Sequence, residues 1–240
     1  MAMTSGGDET KRTVRSKRSF AKVALRERGS WSNNIWAVRD PIVHQDLILR
    51  SDVEYWHWLS LHADKDIVSF AIEPFEVLAE IDGKPRRSLP DCEVSFTDGR
   101  KEMREVKYAS DFDNPRKKDD VLRQIEVQRL WCETNGYSHR VVTDTELRDR
   151  MTLLDNWRTI LTDLASYEEV DLEPTKANVI KLLAAGSMTF GELLSQTPAH
   201  QRDIITASVY SLIRERLLEV DLESEPFSPR TFLRLANEQQ

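Results

Sequence analysis

The stretch Pro90-Asp91-Cys92-Glu93-Val94-Ser95-Phe96-Thr97-Asp98-Gly99-Arg100-Lys101-Glu102-Met103-Arg104-Glu105-Val106-Lys107 decides the fold. Apolar Cys92, Val94 and Phe96 alternate with Asp91, Glu93 and Ser95, Asp98-Gly99 turns the chain, and Met103, Glu105 and Lys107 share one face of the return strand. This is the period-two pattern of a β-hairpin. Directly paired residues of such a hairpin share a face, and a slip of one residue inverts the set. A two-residue Asp98-Gly99 loop would oppose Asp91 to Val106 and turn Glu105 to the wrong side. For Asp91, Glu105 and Lys107 to converge, the loop must hold three or five residues, or a bulge must intervene.

Convergence would have a chemical meaning. Hydrolysis of a phosphodiester needs a nucleophilic water, a counter-charge for the crowded phosphate and help for the leaving oxygen, which one or two Mg²⁺ ions can supply. Asp91 and Glu105 are the carboxylates suited to that hard cation, the carbonyl of Val106 is a candidate third ligand, and Mn²⁺ is expected to substitute for Mg²⁺. Lys107, two residues along the strand, would orient or activate the water and offset negative charge. The pattern is that of a metal-dependent nuclease, although the same residues would also sit comfortably on a solvated hairpin.

The flanking chain supplies the scaffold. Residues 51–61 read as a helix, with Ser51 as N-cap and Glu54 three positions on. Glu54 serves there either as a capping carboxylate or as a third acid of the metal site. Residues 31–50 show no clear periodicity. Residues 66–72 and 75–81 alternate as strands parted by Pro74, and Asp82-Gly83 turns the chain. A helix is expected over 118–135, stopped by Gly136, then a strand over 137–143 and a helix over 145–166. The fold class is α/β, a mixed sheet flanked by helices.

The acidic run around Pro174 marks a boundary. Beyond it, three short helices and two strands describe a small winged-helix-like domain. Its third helix carries Arg202, Arg214 and Arg216 beside Asp203 and Glu215, which suits protein docking at least as well as base readout. The expected organisation is a basic arm over 1–28, a nuclease domain over 29–171 and the winged-helix-like domain over 172–240, the last being removable without loss of the nuclease fold.

Charge and composition bound the partners. The 240 residues are 40% hydrophobic and 31% charged, with no apolar run near the ~20 residues of a membrane span. Two cysteines, Cys92 and Cys132, suit a reducing, cytoplasmic setting. The net charge of -7 hides an uneven distribution, because residues 1–28 hold eight Lys or Arg against three acids. Lys11, Arg12, Arg15, Lys17 and Arg18 in that arm, and Arg116, Lys117 and Lys118 after the hairpin, are candidates for contacts to a DNA backbone. Gln124 and Gln128 share a helix face that could meet the DNA or the metal site. His57 and His62 are expected on the helix surface or at its cap, His139 on an edge strand, and Trp56, Trp58 and Trp131 in the core.

The order of these parts over residues 51–164 resembles the TnsA family, the endonuclease subunit of heteromeric transposases within the PD-(D/E)xK nuclease superfamily. The resemblance rests on the acidic helix from Ser51, the segment Asp66-Ile67-Val68-Ser69-Phe70-Ala71-Ile72-Glu73-Pro74-Phe75, the Pro90-Asp91 hairpin, Glu105-Val106-Lys107 and the helix–strand pair that follows. It implies a restriction-endonuclease-like sheet and matches Glu54, Asp91 and Lys107 to the catalytic acid, the metal-binding Asp and the catalytic Lys. Glu105 stands where TnsA proteins can carry Gln. The resemblance further implies cleavage at the transposon's 5′ ends, on the non-transferred strands of double-stranded DNA, a DDE-type transposase that acts on the 3′ ends, and an AAA+ ATPase regulator. Competing classes are a restriction-like, repair or junction-resolving nuclease and a non-catalytic DNA-binding assembly module.

Overall fold

The computed structural model describes residues 34–236, so the basic arm and its five candidate cations lie outside the described residues. Strands β1 (Trp36–Asp40) and β2 (Gln45–Leu49) open the described chain as an antiparallel hairpin, in a region whose sequence has no clear period. Helix α1 (Asp52–Ala63) follows, capped by the Ser51 side chain, which accepts from the Glu54 N–H at 3.1 Å. Next come β3 (Ile67–Ile72), a second hairpin of β4 (Val77–Ile81) and β5 (Lys84–Ser88), and the decisive pair β6 (Cys92–Phe96) and β7 (Lys101–Lys107). A short 3₁₀ turn over Ala109–Phe112 leads to α2 (Lys118–Asn135), β8 (Ser138–Thr143), α3 (Asp144–Arg148) and α4 (Met151–Ser166). The last two replace the single helix expected over 145–166.

The central sheet has the order β3-β6-β7-β8. β3, β6 and β7 are antiparallel neighbours, whereas β8 runs parallel to β7, a connection that requires a crossover and receives it from α2. Gly136 ends that crossover helix at φ 74°, a left-handed cap that a side chain would disfavour. Alternation along β7 then divides the layers. Val106 points into the cluster formed with Val53, Trp58 and Leu59 of α1 and Leu154 and Trp157 of α4. Its neighbour Glu105 faces the other way, onto α2. The acidic position of the strand is thereby buried under a helix rather than left in solvent.

Asp40, at the end of β1, ties the first hairpin to α1. It is fully buried and satisfied on both oxygens: Oδ1 accepts from the N–H groups of Ile42 and Val43 at 2.9 and 3.1 Å, and Oδ2 accepts from Trp58 Nε1 at 2.8 Å and meets His62 Nε2 at 3.0 Å. Burial pushes its pKa up, but the bond and charge of His62 with the Trp58 and Ile42 donors outweigh that, and the value falls to about 2. A carboxyl depressed in the folded state contributes stability that is present above its unfolded value near 3.8 and lost as pH falls toward 2. Urea unfolding at pH 5 and at pH 2 should therefore differ by about 2 kcal/mol more in the wild type than in Asp40→Asn. An equal acid dependence in both proteins would remove Asp40 as its source.

The histidines of α1 depart from expectation, since both are buried rather than exposed or capping. His62 is turned inward by Asp40, while His57 packs toward Arg104 and Arg140 of the sheet with no hydrogen-bond partner for Nε2. Burial, with those two cations, holds His57 neutral by lowering its pKa to about 3. Trp58 is core as expected, whereas Trp56 and Trp131 are half-buried, the latter edge-on to Phe75.

Past the acidic run lie α5 (Glu173–Leu183), β9 (Met188–Thr189), α6 (Phe190–Ser195), α7 (Arg202–Arg214), β10 (Leu218–Glu219) and β11 (Phe232–Leu235). Their strands form a three-stranded antiparallel sheet in the order β10-β11-β9. A capping box between Thr189 and Glu192 starts α6. This part shares its core with the rest of the chain: Trp157, Ile160 and Leu161 of α4 belong to the same cluster as Val209, Leu212, Ile213 and Leu233. No helix among the described residues is long and apolar enough to cross a membrane.

Candidate active site

The register of the β6–β7 hairpin builds the site. Cys92 pairs with Arg104, Glu93 with Met103, Val94 with Glu102 and Ser95 with Lys101. At the tip the Phe96 N–H donates to the Arg100 carbonyl at 2.9 Å and the Gly99 N–H to the Phe96 carbonyl at 3.0 Å, which leaves a three-residue loop of Thr97, Asp98 and Gly99. Gly99 takes φ +85°, the left-handed position such a loop needs. Continued one step past Cys92, the register sets Asp91 opposite Glu105, so the two carboxylates and Lys107 fall on one face, as the chemistry requires.

Asp91 precedes β6, its carbonyl accepting from the Glu73 N–H at 2.9 Å and its Oδ2 from the Val106 N–H at 2.7 Å. Glu73 takes φ 46° to make that contact, an uncommon conformation for a residue with a side chain. Among the described residues, Oδ1 of Asp91 accepts no hydrogen bond. Glu105 is fully buried; its Oε1 pairs with Lys107 Nζ and its Oε2 accepts from Gln128 Nε2 at 2.6 Å. Burial, followed by the Glu105 charge, drives the Asp91 carboxyl up to about 8, against the opposing pull of Lys107 and the Val106 N–H. Burial alone would lower Lys107, but Glu105 and Asp91 outweigh it and raise the ammonium above its usual range. Lys107 is thus held as a cation beside Glu105.

Glu54 takes the capping role. Its Oε2 accepts from the Arg50 N–H at 2.8 Å and its Oε1 from Ser51 Oγ at 3.1 Å, while burial raises its pKa. It also raises the Asp91 and Lys107 values through its charge, which places it at the margin of the site. The described residues contain no group of three His, Cys, Asp or Glu side chains already gathered on one point, and both Glu54 oxygens are engaged by Arg50 and Ser51. What Val106 brings to the site in this geometry is its N–H, bonded to Asp91.

The remaining pair of carboxylates fits Mg²⁺. Both are hard oxygen donors, they fall on one face of a desolvated spot with Lys107 paired to Glu105, and among the described residues one oxygen of Asp91 takes no hydrogen bond. Mg²⁺ is commonly held by one or two carboxylates, with water and substrate phosphates completing its shell.

Gln128, read on a helix face that could meet the DNA or the metal site, reaches Glu105. It is fully buried at mid-α2, donating through Nε2 to Glu105 Oε2 and, at 2.8 Å, to Ser88 Oγ. Its Oε1 therefore meets His139 Nε2, at 2.9 Å, as an acceptor, which fixes that ring nitrogen as the protonated one. His139 is thus occupied within the protein rather than reaching toward phosphate from its edge strand. Gln128→Leu keeps the bulk but leaves Glu105, Ser88 and His139 short of partners. It should cost about 1–3 kcal/mol in chemical unfolding and, if Glu105 is a ligand, weaken Mn²⁺ binding roughly 10–100-fold in a titration. Unchanged binding would reduce Gln128 to a packing residue.

Arg116, Lys117 and Lys118 are exposed in the turn that opens α2, with Lys117 Nζ 2.7 Å from Asp111. They follow the strand end that carries Lys107 but touch none of the three converging residues. Residues 64–144 match the family model of the Tn7 TnsA-like endonuclease N-terminal domain. That segment, about a third of the chain, contains Asp91, Glu105, Lys107 and Gln128 and stops short of Glu54. No curated protein matches the chain.

Proposed function

We propose that this chain, whose residues 64–144 match the model of the TnsA-like endonuclease N-terminal domain, is a Mg²⁺-dependent DNA endonuclease subunit of a transposase, cutting the 5′ ends of a transposon on the non-transferred strands. The observation that carries the reading is the three-residue loop at Asp98, whose register brings Asp91, Glu105 and Lys107 to one face inside the matched segment. Asp91 and Glu105 would hold the ion. Mg²⁺, when bound, polarises the phosphate and lowers the pKa of water. The Val106 N–H fixes the Asp91 carboxyl and the Gln128 amide fixes Glu105, so neither ligand must be ordered when substrate arrives. Lys107, held charged, offsets the negative charge that develops on the phosphate oxygens and orients the attacking water.

For residues 173–235 we propose a winged-helix unit that docks on protein. Seven consecutive residues of α7, from Ala207 to Ile213, are buried, which leaves no long face of that helix for a major groove. Arg216, one of the three arginines read on this helix, donates to the carbonyls of His62 and Ala63 at 2.8 and 3.1 Å. A DDE-type transposase and an AAA+ ATPase are the partners this reading calls for. Incubating transposon-end DNA with the chain and Mg²⁺ or EDTA, with and without the transposase, tests it. Metal-dependent 5′-end cleavage that the transposase enhances supports the reading. Robust cutting of arbitrary DNA alone would favour a restriction-like enzyme.

A further inference from the structure

A groove of about 600 Å³ lies between β5 and α2, lined by Arg86, Arg87 and Ser88 on the strand side and by Asp120, Arg123 and Gln124 on the helix side, among others. Its inner end, at Ser88, lies one buried side chain away from the active site. Ser88 bonds Gln128, which bonds Glu105, and Leu89 and Pro90 lead from Ser88 directly to Asp91. Its outer part is cationic. β5 reads Lys84-Pro85-Arg86-Arg87-Ser88, exposed over its first four residues.

Register shows where those cations point. Ser88 pairs with Val77 and Arg86 with Ala79, so Arg86 shares the face of buried Val77, the face that packs toward α2. Arg86 is thus one strand repeat, roughly 6.6 Å, outward from Ser88 on the groove side. Among the described residues it has no ion-pair partner. Across the groove, Arg123 precedes Gln128 by just over one helical turn; among the described residues it pairs with exposed Asp120 alone, and Arg87 with exposed Glu76 alone, at 3.4 Å. Pairs of that kind are weak and readily exchanged for phosphate.

We propose that this groove is the track for the phosphodiester backbone of the DNA strand entering the site, with Arg86 and Arg123 as its phosphate contacts. The proposal rests on the nuclease reading and adds a substrate path that neither the basic arm nor the cations at the start of α2 supply. A charged, proline-bearing strand can also serve only to block edge-to-edge pairing, but such a guard has no need to direct Arg86 toward α2 beside Ser88.

The test is duplex DNA binding by the full chain in EDTA, followed by fluorescence anisotropy between 50 and 200 mM salt. Each phosphate contact contributes about 0.9 to the slope of log K against log salt. Arg86→Gln and Arg123→Gln should each flatten the slope by about 0.9 and the double variant by about 1.8, with melting temperatures unchanged because both side chains are exposed. Arg158→Gln, an exposed arginine of α4, should leave the slope alone. A slope in the double variant equal to that of the wild type, with or without aggregation, overturns the groove. So does failure of the wild type to bind duplex at all. If the slope flattens as predicted yet the wild type cuts no transposon-end DNA with Mg²⁺ and the transposase, the groove stands as a DNA-binding surface and the nuclease reading falls.

Discussion

Asp91→Asn is expected to lose cleavage roughly 10³-fold or more and, in EDTA, to be more stable than the wild type. The opposite directions share one cause. Without metal, the Asp91 carboxyl sits in a desolvated position under the charge of Glu105, which Lys107, paired to Glu105, only partly offsets. Asn keeps an oxygen for the Val106 N–H and removes the repelled charge. A carboxyl whose pKa rises on folding, here from 3.8 to about 8, costs stability once pH exceeds the unfolded value. The advantage of Asp91→Asn should thus be absent below pH 4 and grow as pH rises toward 8. Mg²⁺ should reverse the order, because a ligand that binds only the folded state stabilises it, and the variant lacks the site. Melting curves with EDTA and with Mg²⁺ at pH 4 and pH 8 check each limb. A variant that is less stable than the wild type in EDTA would mean that Asp91 is a structural residue.

The second large effect is the loss of folding when residues 173–240 are removed. The acidic run before Pro174 reads as a linker, and on sequence alone the nuclease should survive the cut. The packing opposes this. Trp157 and Ile160 are at most 1% exposed and share a cluster with Val209, Leu212 and Ile213. Asn156 spends its whole amide on the far side of the boundary, donating to the Leu222 and Glu225 carbonyls at 2.8 and 2.9 Å and accepting from the Phe227 N–H at 2.8 Å. Arg216 adds its guanidinium 5.2 Å from the Trp157 ring centre. Uncovering several such side chains at about 1.5–3 kcal/mol each consumes most of the 5–15 kcal/mol that a folded chain has available. A 1–172 fragment should therefore be aggregated or lack a cooperative transition in circular dichroism. A soluble fragment with a sharp melt would restore the two-domain reading.

How legible these features were in the sequence depended on the range of the interactions. The hairpin was readable because strand alternation is local, and the demand that Asp91 meet Glu105 was enough to exclude the unbulged two-residue loop. Helix ends were readable at Ser51 and Gly136 for the same reason. β5 was missed because Lys-Pro-Arg-Arg has no apolar alternation; its pairing with β4 defines it as a strand. The Ser88–Gln128–Glu105 chain joins residues 40 and 23 positions apart, and nothing in the neighbourhood of Gln128 announces a buried amide. His62 likewise became a core residue only through Asp40, 22 positions earlier on a strand with no clear sequence signal. The shared core beyond residue 172 is the same kind of fact: composition marks where a chain is polar, not what its neighbouring helices cover.

The central claim is that Asp91, Glu105 and Lys107 form a hydrolytic centre. Strand-resolved cleavage of labelled transposon-end DNA in Mg²⁺, with the transposase present, measures it most directly. The account predicts that the wild type nicks the 5′ end of the non-transferred strand, and that Asp91→Ala and Lys107→Ala, though folded, do not. Wild-type cutting by both variants would contradict it.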